Sequence, residues 1–445
     1  MLFAYGIDKL KSKLKDCDFY RIMLEETNSE SVVAKEGKVD AISTNESFGL
    51  GIFYTLGRFG YFYSTNNPND LDNFKIDLAL KKYSNLDYIP KESGIKDKKI
   101  IGEKSNLDLE TIAKELSKTS KLRNQIVTHE IKYNNIEQER QIICENTDII
   151  QKQYFGIGFN SIVAKEGNIL RKDVNRIAKS TALNKYFDEF IFKNDGFENK
   201  TIEKLKFNEG IKGKFNIILD PSISSLLAHE AIGHACESDL VYNKQSILRN
   251  KIGKTFAKEF VNLIDDPTPK DDLFGSYYYD AEGFPAKIRH LIKEGKLNEY
   301  IANTRFSQLL KIENNGGSRT ESYRSLPIPR MSNTSFLPGQ KNFLELIDEL
   351  KNGIILNGFA GGETDPTTGT YQFGVKEGLI VKNGQINETR VNISFSGQIL
   401  KSLKNIVDIS KDIKMESPGF CGKEGQTVFC DSFDPYLLIK NVRID

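Results

Sequence analysis

Tryptophan is absent from the 445 residues, and histidine is scarce, with only four. Five cysteines, an odd number without a repeated spacing, exclude a disulfide framework as the source of stability. The expectation is a reducing, cytoplasmic setting, where a cysteine is free to be a thiolate ligand. Excess charge is also missing: 62 Lys and Arg face 61 Asp and Glu, for a formal net charge of +1. No long-range field then favours nucleic acid or an anionic membrane as partner. No apolar run approaches the roughly 20 residues of a bilayer-spanning helix. The opening MLFAYGIDKLKSKLKD lacks the ordered charge, apolar core and cleavage site of a secretory leader. It reads as an amphipathic helix. The length suits two or three domains.

Against that scarcity, two of the four histidines stand together in HEAIGHACESD, at His229 and His234, with Glu230 between them. An imidazole pair beside a carboxylate is a common means of holding a catalytic zinc and a water. The spacing differs from the H-E-x-x-H helix of many zinc peptidases, because here the histidines are five apart. With about 3.6 residues per turn, i+5 lies roughly 140° round a regular α-helix from i. Two imidazoles so placed cannot share an ion. The spacing therefore predicts an irregular helix at Ala231 to His234, with i→i+5 bonding as in a π-bulge. Gly233 lowers the cost of that distortion. The competing reading is a buried structural histidine pair on an apolar helix. The preceding DPSISSLLA reads as a strand end, a capping Ser222 or Ser224, and the helix.

The rest of the chain predicts an α+β protein. An N-terminal α/β domain spans 1–204, and a β-rich C-terminal domain spans 205–445 and carries the histidine helix. SFGLGIFYTLGRFGYFYST reads as sheet core with a hairpin turn at Gly57. Residues 66–100 read as a polar connection, and Leu107–Leu122 as a helix. The pattern VVAKEGK recurs as IVAKEGN, which hints at two related sheet layers. A helix is expected around Leu170 to Phe192. GKFNIILD is a short buried strand that feeds the histidine helix. His129 reads as a surface residue, and His290, in a hairpin, as a structural one.

Residues 314–339 form a long stretch rich in Gly, Pro, Ser and Asn, of a length that is often functional. Its Arg319, Arg324 and Arg330 could hold substrate carboxylates, but pinning the loop is the preferred reading; Arg330 is the candidate if one of them meets substrate. Gly361 and Gly362 are too sparse for a phosphate loop and suit close approach of another backbone, such as an extended peptide. Cys421, framed by Phe420 and Gly422, is a candidate third metal ligand. Cys430 reads as a strand-end residue, and burial is the common fate of a free cysteine.

Together these segments resemble the TldD/PmbA family, and in particular its TldD branch of metallopeptidases. HEAIGHACESD is similar to the family's H-E-x-x-x-H signature. DAEGFPA, RTESYRSLPIPRMSNT, GGETDPTTGTYQF and CGKEGQ follow in the family's order. The resemblance implies that His229, His234 and Cys421 bind one zinc ion per chain and that Glu230 is the catalytic base. It further implies cleavage of unfolded or extended peptides, and a homodimer or a heterodimer with a PmbA/TldE-like subunit. Glu237 or Asp239 could orient a histidine ring. The alternative is a non-catalytic subunit that binds peptides or a partner, with a closed structural metal site whose fourth ligand is Glu237 or Cys236.

Overall fold

The computed structural model describes residues 4–76, 81–83, 86–122, 125–192, 196–415 and 418–445. Two eight-stranded sheets dominate it, and the chain is mixed α+β. The first sheet is built on four long strands, Phe19–Lys35, Lys38–Leu56, Ile126–Ile143 and Asp148–Glu166. All its pairings are antiparallel except that of Lys96–Ile101 with Asp148–Gln153. Both faces of the long strands are covered where they cross the core, with Met23 packed beside Ile142 and Ala281 on one side. Ile22 and Leu24 point inward with Leu50, Ile52 and Tyr54 across the ladder. Tyr54 also stacks on Tyr61, as the aromatic run predicts.

The recurring Ala-Lys-Glu-Gly marks two hairpin tips of this one sheet, not two layers. Glu36 and Gly37 both take positive φ, 52° and 83°. A two-residue turn matched to strand twist requires that. The second tip, at Gly167, turns Asp148–Glu166 back into Ile169–Lys179. That second strand replaces the helix expected from Leu170. ILRKDVNRIAK has no strong period of either kind, and eleven backbone pairings with the preceding strand decide its form. Only after it come short helices at Leu183–Tyr186 and Phe187–Phe192.

In the second sheet Gly213–Leu219, Asp434–Ile444, Ile393–Gln398, Thr370–Lys382 and Gly353–Asp365 pair in turn, and the last pairs with the first. The five strands thus close a ring. The histidine helix leaves the end of Gly213–Leu219 and packs Ile223, Leu227, Ala228, Ala231 and Ile232 into the largest core of the molecule. A separate hairpin, Gly419–Lys423 with Gln426–Cys430, pairs with no other strand among the described residues. The long stretch 314–339 is tightly held, with Ser318, Arg330 and Ser332 to Ser335 buried. No helix among the described residues is long and apolar enough to cross a membrane.

Candidate metal centre

The helix that carries the histidines begins at Pro221, a residue suited to the first helical position because it has no N–H to leave unpaired. Its cap is Asp220, not Ser222 or Ser224. Asp220 Oδ1 accepts from the Ile223 N–H at 3.0 Å, and Oδ2 accepts from the Gly358 N–H at 3.1 Å. The cap therefore also fixes the helix against the strand Gly353–Asp365.

One α-turn on, the helix widens. Leu227–Gly233 is a π-helix, and the His234 N–H donates to the His229 carbonyl, five residues back. A 3₁₀ turn, His234–Cys236, ends it. The irregularity demanded by the i+5 spacing is present and starts earlier than Ala231. It places the two imidazoles 5.3 Å apart, nearly perpendicular. Gly233 serves another purpose than the one expected. Its φ and ψ, −58° and −52°, suit any residue. A Cβ there would lie 1.9 Å from Met331 Sδ, so glycine makes room for the long loop to cross the helix.

The short hairpin brings up the thiols. Cys421 Sγ lies 3.4 Å from His234 Nε2. Ligand atoms of His229, Cys421 and Cys430 lie within 4.8 Å of one another, as do those of His229, Glu230 and His234. Cys430 is the buried strand-end residue expected, and the hairpin register brings it beside Cys421, a placement that nothing local in the sequence marks. Cys421 is held well below the ordinary thiol range by a hydrogen bond from Cys430, against burial and with help from His229 and His234. Cys430 is pushed up by burial and by Cys421.

Around this set the buried groups fix orientation. Glu237 is fully buried, and its Oε2 lies 2.9 Å from His234 Nδ1. A ring whose Nδ1–H donates there presents the lone pair of Nε2 toward Cys421. Lys423 donates to Glu237 at 3.1 Å and forms an ion pair with Asp239 at 2.7 Å. Burial raises the Glu237 carboxyl, but Lys423 and His234 bring it net below its usual range. Asp239 holds Lys423, not a histidine. Glu237 faces the far nitrogen of His234, and Cys236 belongs to neither ligand group among the described residues, so neither stands as a fourth ligand.

Arg330 lies elsewhere than expected for a substrate contact. It is wholly buried and donates to the carbonyls of Cys421 and Gln426. It pins the hairpin. Arg319 donates to the Met331 carbonyl at 2.6 Å, and Arg324 to the Tyr323 hydroxyl at 3.0 Å. Of Gly361 and Gly362, neither lines the cleft beside the histidines; Gly358 and Phe359 of the same strand do. A Cβ on Gly362 would lie 2.5 Å from the Gln372 carbonyl, so the close approach there is to the chain's own strand. His129 is buried, with Nδ1 3.3 Å from Glu198 of the helix Phe197–Glu203, which packs on the adjacent strand Asp148–Glu166. His290 is exposed, and its N–H donates to Glu299.

The cleft has a volume of about 570 Å³. One wall is the strand Ile169–Lys179, which supplies Arg176 and Lys179; the other is the helix face with Ser222, Leu226, His229 and Glu230. Arg176 donates to the Pro418 carbonyl at 3.0 Å and stacks on Phe159 and Phe420. A helical reading of its segment concealed it; the hairpin signal Glu166-Gly167 was the clue. Glu230 is open to the cleft, with a third of its side chain exposed, and its Oε2 is 3.7 Å from His234 Nε2. Two imidazoles, a thiol of lowered pKa and an open side fit a zinc ion in a catalytic setting, where three protein ligands leave one position free.

Known proteins share this design. The PmbA/TldA metallopeptidase C-terminal domain matches residues 212–445, and domain 1 of the same family matches residues 20–82. A metalloprotease of Methanocaldococcus jannaschii is 32% identical over 446 residues, covering 95% of this chain and 96% of that protein. A zinc metalloprotease TldD homolog of Saccharolobus solfataricus is 29% identical over 444 residues, covering 98% and 97%. The crystal structure of TldE from Thermococcus kodakarensis superposes with a TM-score of 0.75 at 14% identity, over 99% of each chain, and so shares the fold. The chain belongs to the TldD/PmbA family of metallopeptidases.

Proposed function

We propose that this chain is a zinc-dependent peptidase that cleaves unfolded or extended peptides, with Glu230 as the catalytic base. The observation that carries the reading is the contrast between Glu230 and its neighbours. Glu237 and Asp239 are buried and committed to ion pairs, whereas Glu230 faces the cleft with no charged partner closer than His234. A closed structural site has no use for such a carboxylate. His229, His234 and Cys421 would hold the ion, one per chain. When bound, zinc supplies Lewis acidity that polarises a carbonyl and acidifies water. Glu230 then accepts the proton of the attacking water and returns it to the leaving amine. Glu237 keeps the His234 ring turned to present Nε2.

The substrate class follows from the cleft. Among the described residues the strand Ile169–Lys179 pairs along one edge only, with Asp148–Glu166, and its residues Val174 to Lys179 line the cleft. An extended peptide can add to such an edge through main-chain hydrogen bonds, which read backbone before side chain. This edge takes the role that the sequence suggested for Gly361 and Gly362. A folded domain has no such free backbone to offer. The shared fold with TldE supports pairing with a TldE-like subunit or with a second copy of this chain.

The test is Glu230→Gln. The variant should keep its zinc and lose peptide cleavage by about 10²- to 10⁴-fold, the usual contribution of a general acid–base. Measured on an unstructured peptide, activity equal to the unaltered protein would remove Glu230 from this role.

A further inference from the structure

Cys430 is a buried thiol for which the proposed hydrolysis has no use. It sits within 4.8 Å of both His229 and Cys421, and both cysteines line the cleft. Cys421 and Cys430 share a face of the hairpin, since Cys421 is opposite Val428 and Gly419 is opposite Cys430. Cys430 Sγ is steadied by Arg319 Nη1 and the Met331 carbonyl, each at 3.7 Å. The other three cysteines, Cys17, Cys144 and Cys236, belong to neither ligand group among the described residues.

We propose that Cys421 and Cys430 form a peroxide-sensitive thiol pair, in which oxidation to a disulfide removes Cys421 from the metal centre. The oxidant is hydrogen peroxide, small enough to enter the cleft. The Cys421 sulfur attacks one peroxide oxygen; the S–O bond forms, the O–O bond breaks, and the hydroxide released takes the proton that the Cys421 thiol gives up and leaves as water. The Cys430 sulfur then attacks the Cys421 sulfur. The S–S bond forms, the S–O bond breaks, and the departing hydroxide takes the Cys430 proton as a second water. Two thiols are oxidised, and one peroxide is reduced to two waters.

The hairpin permits the movement this needs. A disulfide brings its sulfurs to about 2.0 Å, and diagonal neighbours on a hairpin start farther apart than directly opposed ones. Among the described residues the strands Gly419–Lys423 and Gln426–Cys430 pair only with each other, so drawing Cys430 toward Cys421, whose carbonyl Arg330 holds, opens no larger sheet. No atom of the described residues lies within 4 Å of the Cβ position at Gly419, Gly422 or Gly425. Once joined, the Cys421 sulfur has no thiolate to offer. A bound ion occupies that same sulfur, so zinc and peroxide compete for it. The thiol chemistry stands apart from peptide cleavage; only its effect on the metal rests on Cys421 as a ligand.

The experiment treats metal-free and zinc-loaded protein with limiting hydrogen peroxide, then digests with trypsin without reductant. Cleavage after Lys423 puts the two cysteines on separate peptides, so only a disulfide keeps them joined in the mass spectrum. The joined pair should dominate in metal-free protein and form at least about tenfold more slowly with zinc bound, since a coordinated thiolate is shielded. Cys430→Ser should still bind zinc, give no joined pair, and carry Cys421 onward to the sulfinic acid. A sulfinic acid at Cys421 beside a free Cys430 in the unaltered protein, or a link to another cysteine, would overturn the proposal. Absence of zinc binding together with a joined pair would instead count against the metallopeptidase reading and leave the thiol pair standing.

Discussion

Single residues carry the chemistry here, and several are held in a costly state. Asp280 and Asp434 are fully buried, and burial pushes their carboxyls up to about 7 and about 8. For Asp280 the neighbouring Glu282 adds to the rise. A carboxyl whose folded pKa exceeds its unfolded value binds its proton more tightly when folded. The stability it adds is complete below about pH 4 and fades as pH rises through 7 to 8. Asp434→Asn keeps the oxygen that accepts from the Phe336 N–H and removes the titration. Urea unfolding at pH 5 and pH 9 should show a smaller loss across that interval in the variant than in the unaltered protein. An identical loss would mean that Asp434 ionises as freely in the folded chain as in the unfolded one. At this scale much was legible beforehand. His229, Glu230, His234 and Cys421 were marked by residue type, spacing and family resemblance. Cys430, Arg176 and the burial of Arg330 were not, because each depends on a contact made across a hairpin or between sheets.

Among the elements, the widened helix is the one that a simple count anticipates. Two ligands five positions apart do not fit an α-turn, so the helix must change its bonding, and Leu227–Gly233 does so. The reason for Gly233 was not legible, since Met331 comes from a loop almost a hundred residues on. Gly233→Ala should cost about 1–3 kcal/mol through overpacking against Met331 and lower zinc affinity, because the same turn sets His234. Met331→Ala in the same chain should recover most of the loss, which a double-mutant cycle of unfolding free energies would measure. Additive effects would separate the two residues. The strand Ile169–Lys179 shows the opposite limit of pattern reading. Its form is set by the hairpin partner it meets, and a periodicity argument made within the segment lacks that information.

For the molecule as a whole, the site is a product of two sheets meeting. The second sheet supplies the helix base, the long loop crosses that helix at Gly233, the isolated hairpin supplies Cys421, and the first sheet closes the cleft with Ile169–Lys179. Ion pairs fasten the two halves beside it. Buried Asp173, on that strand, pairs with Lys204 and with Lys376 of the strand Thr370–Lys382. On the other flank, Arg140 donates to the carbonyls of Thr320 and Glu321 in the long loop. A Cβ on Gly49 would lie 2.1 Å from the Tyr323 ring, so the first sheet also seats a side chain of that loop. Composition could report balanced charge and few histidines, but not this docking.

The central claim is that His229, His234 and Cys421 form one open zinc site. It is tested most directly by metal content per chain, on protein purified without added metal, beside Cys421→Ser. The account predicts about one zinc per chain, bound at least about 10²-fold more weakly once the thiolate is gone. No zinc in either protein, or equal binding in both, would contradict it.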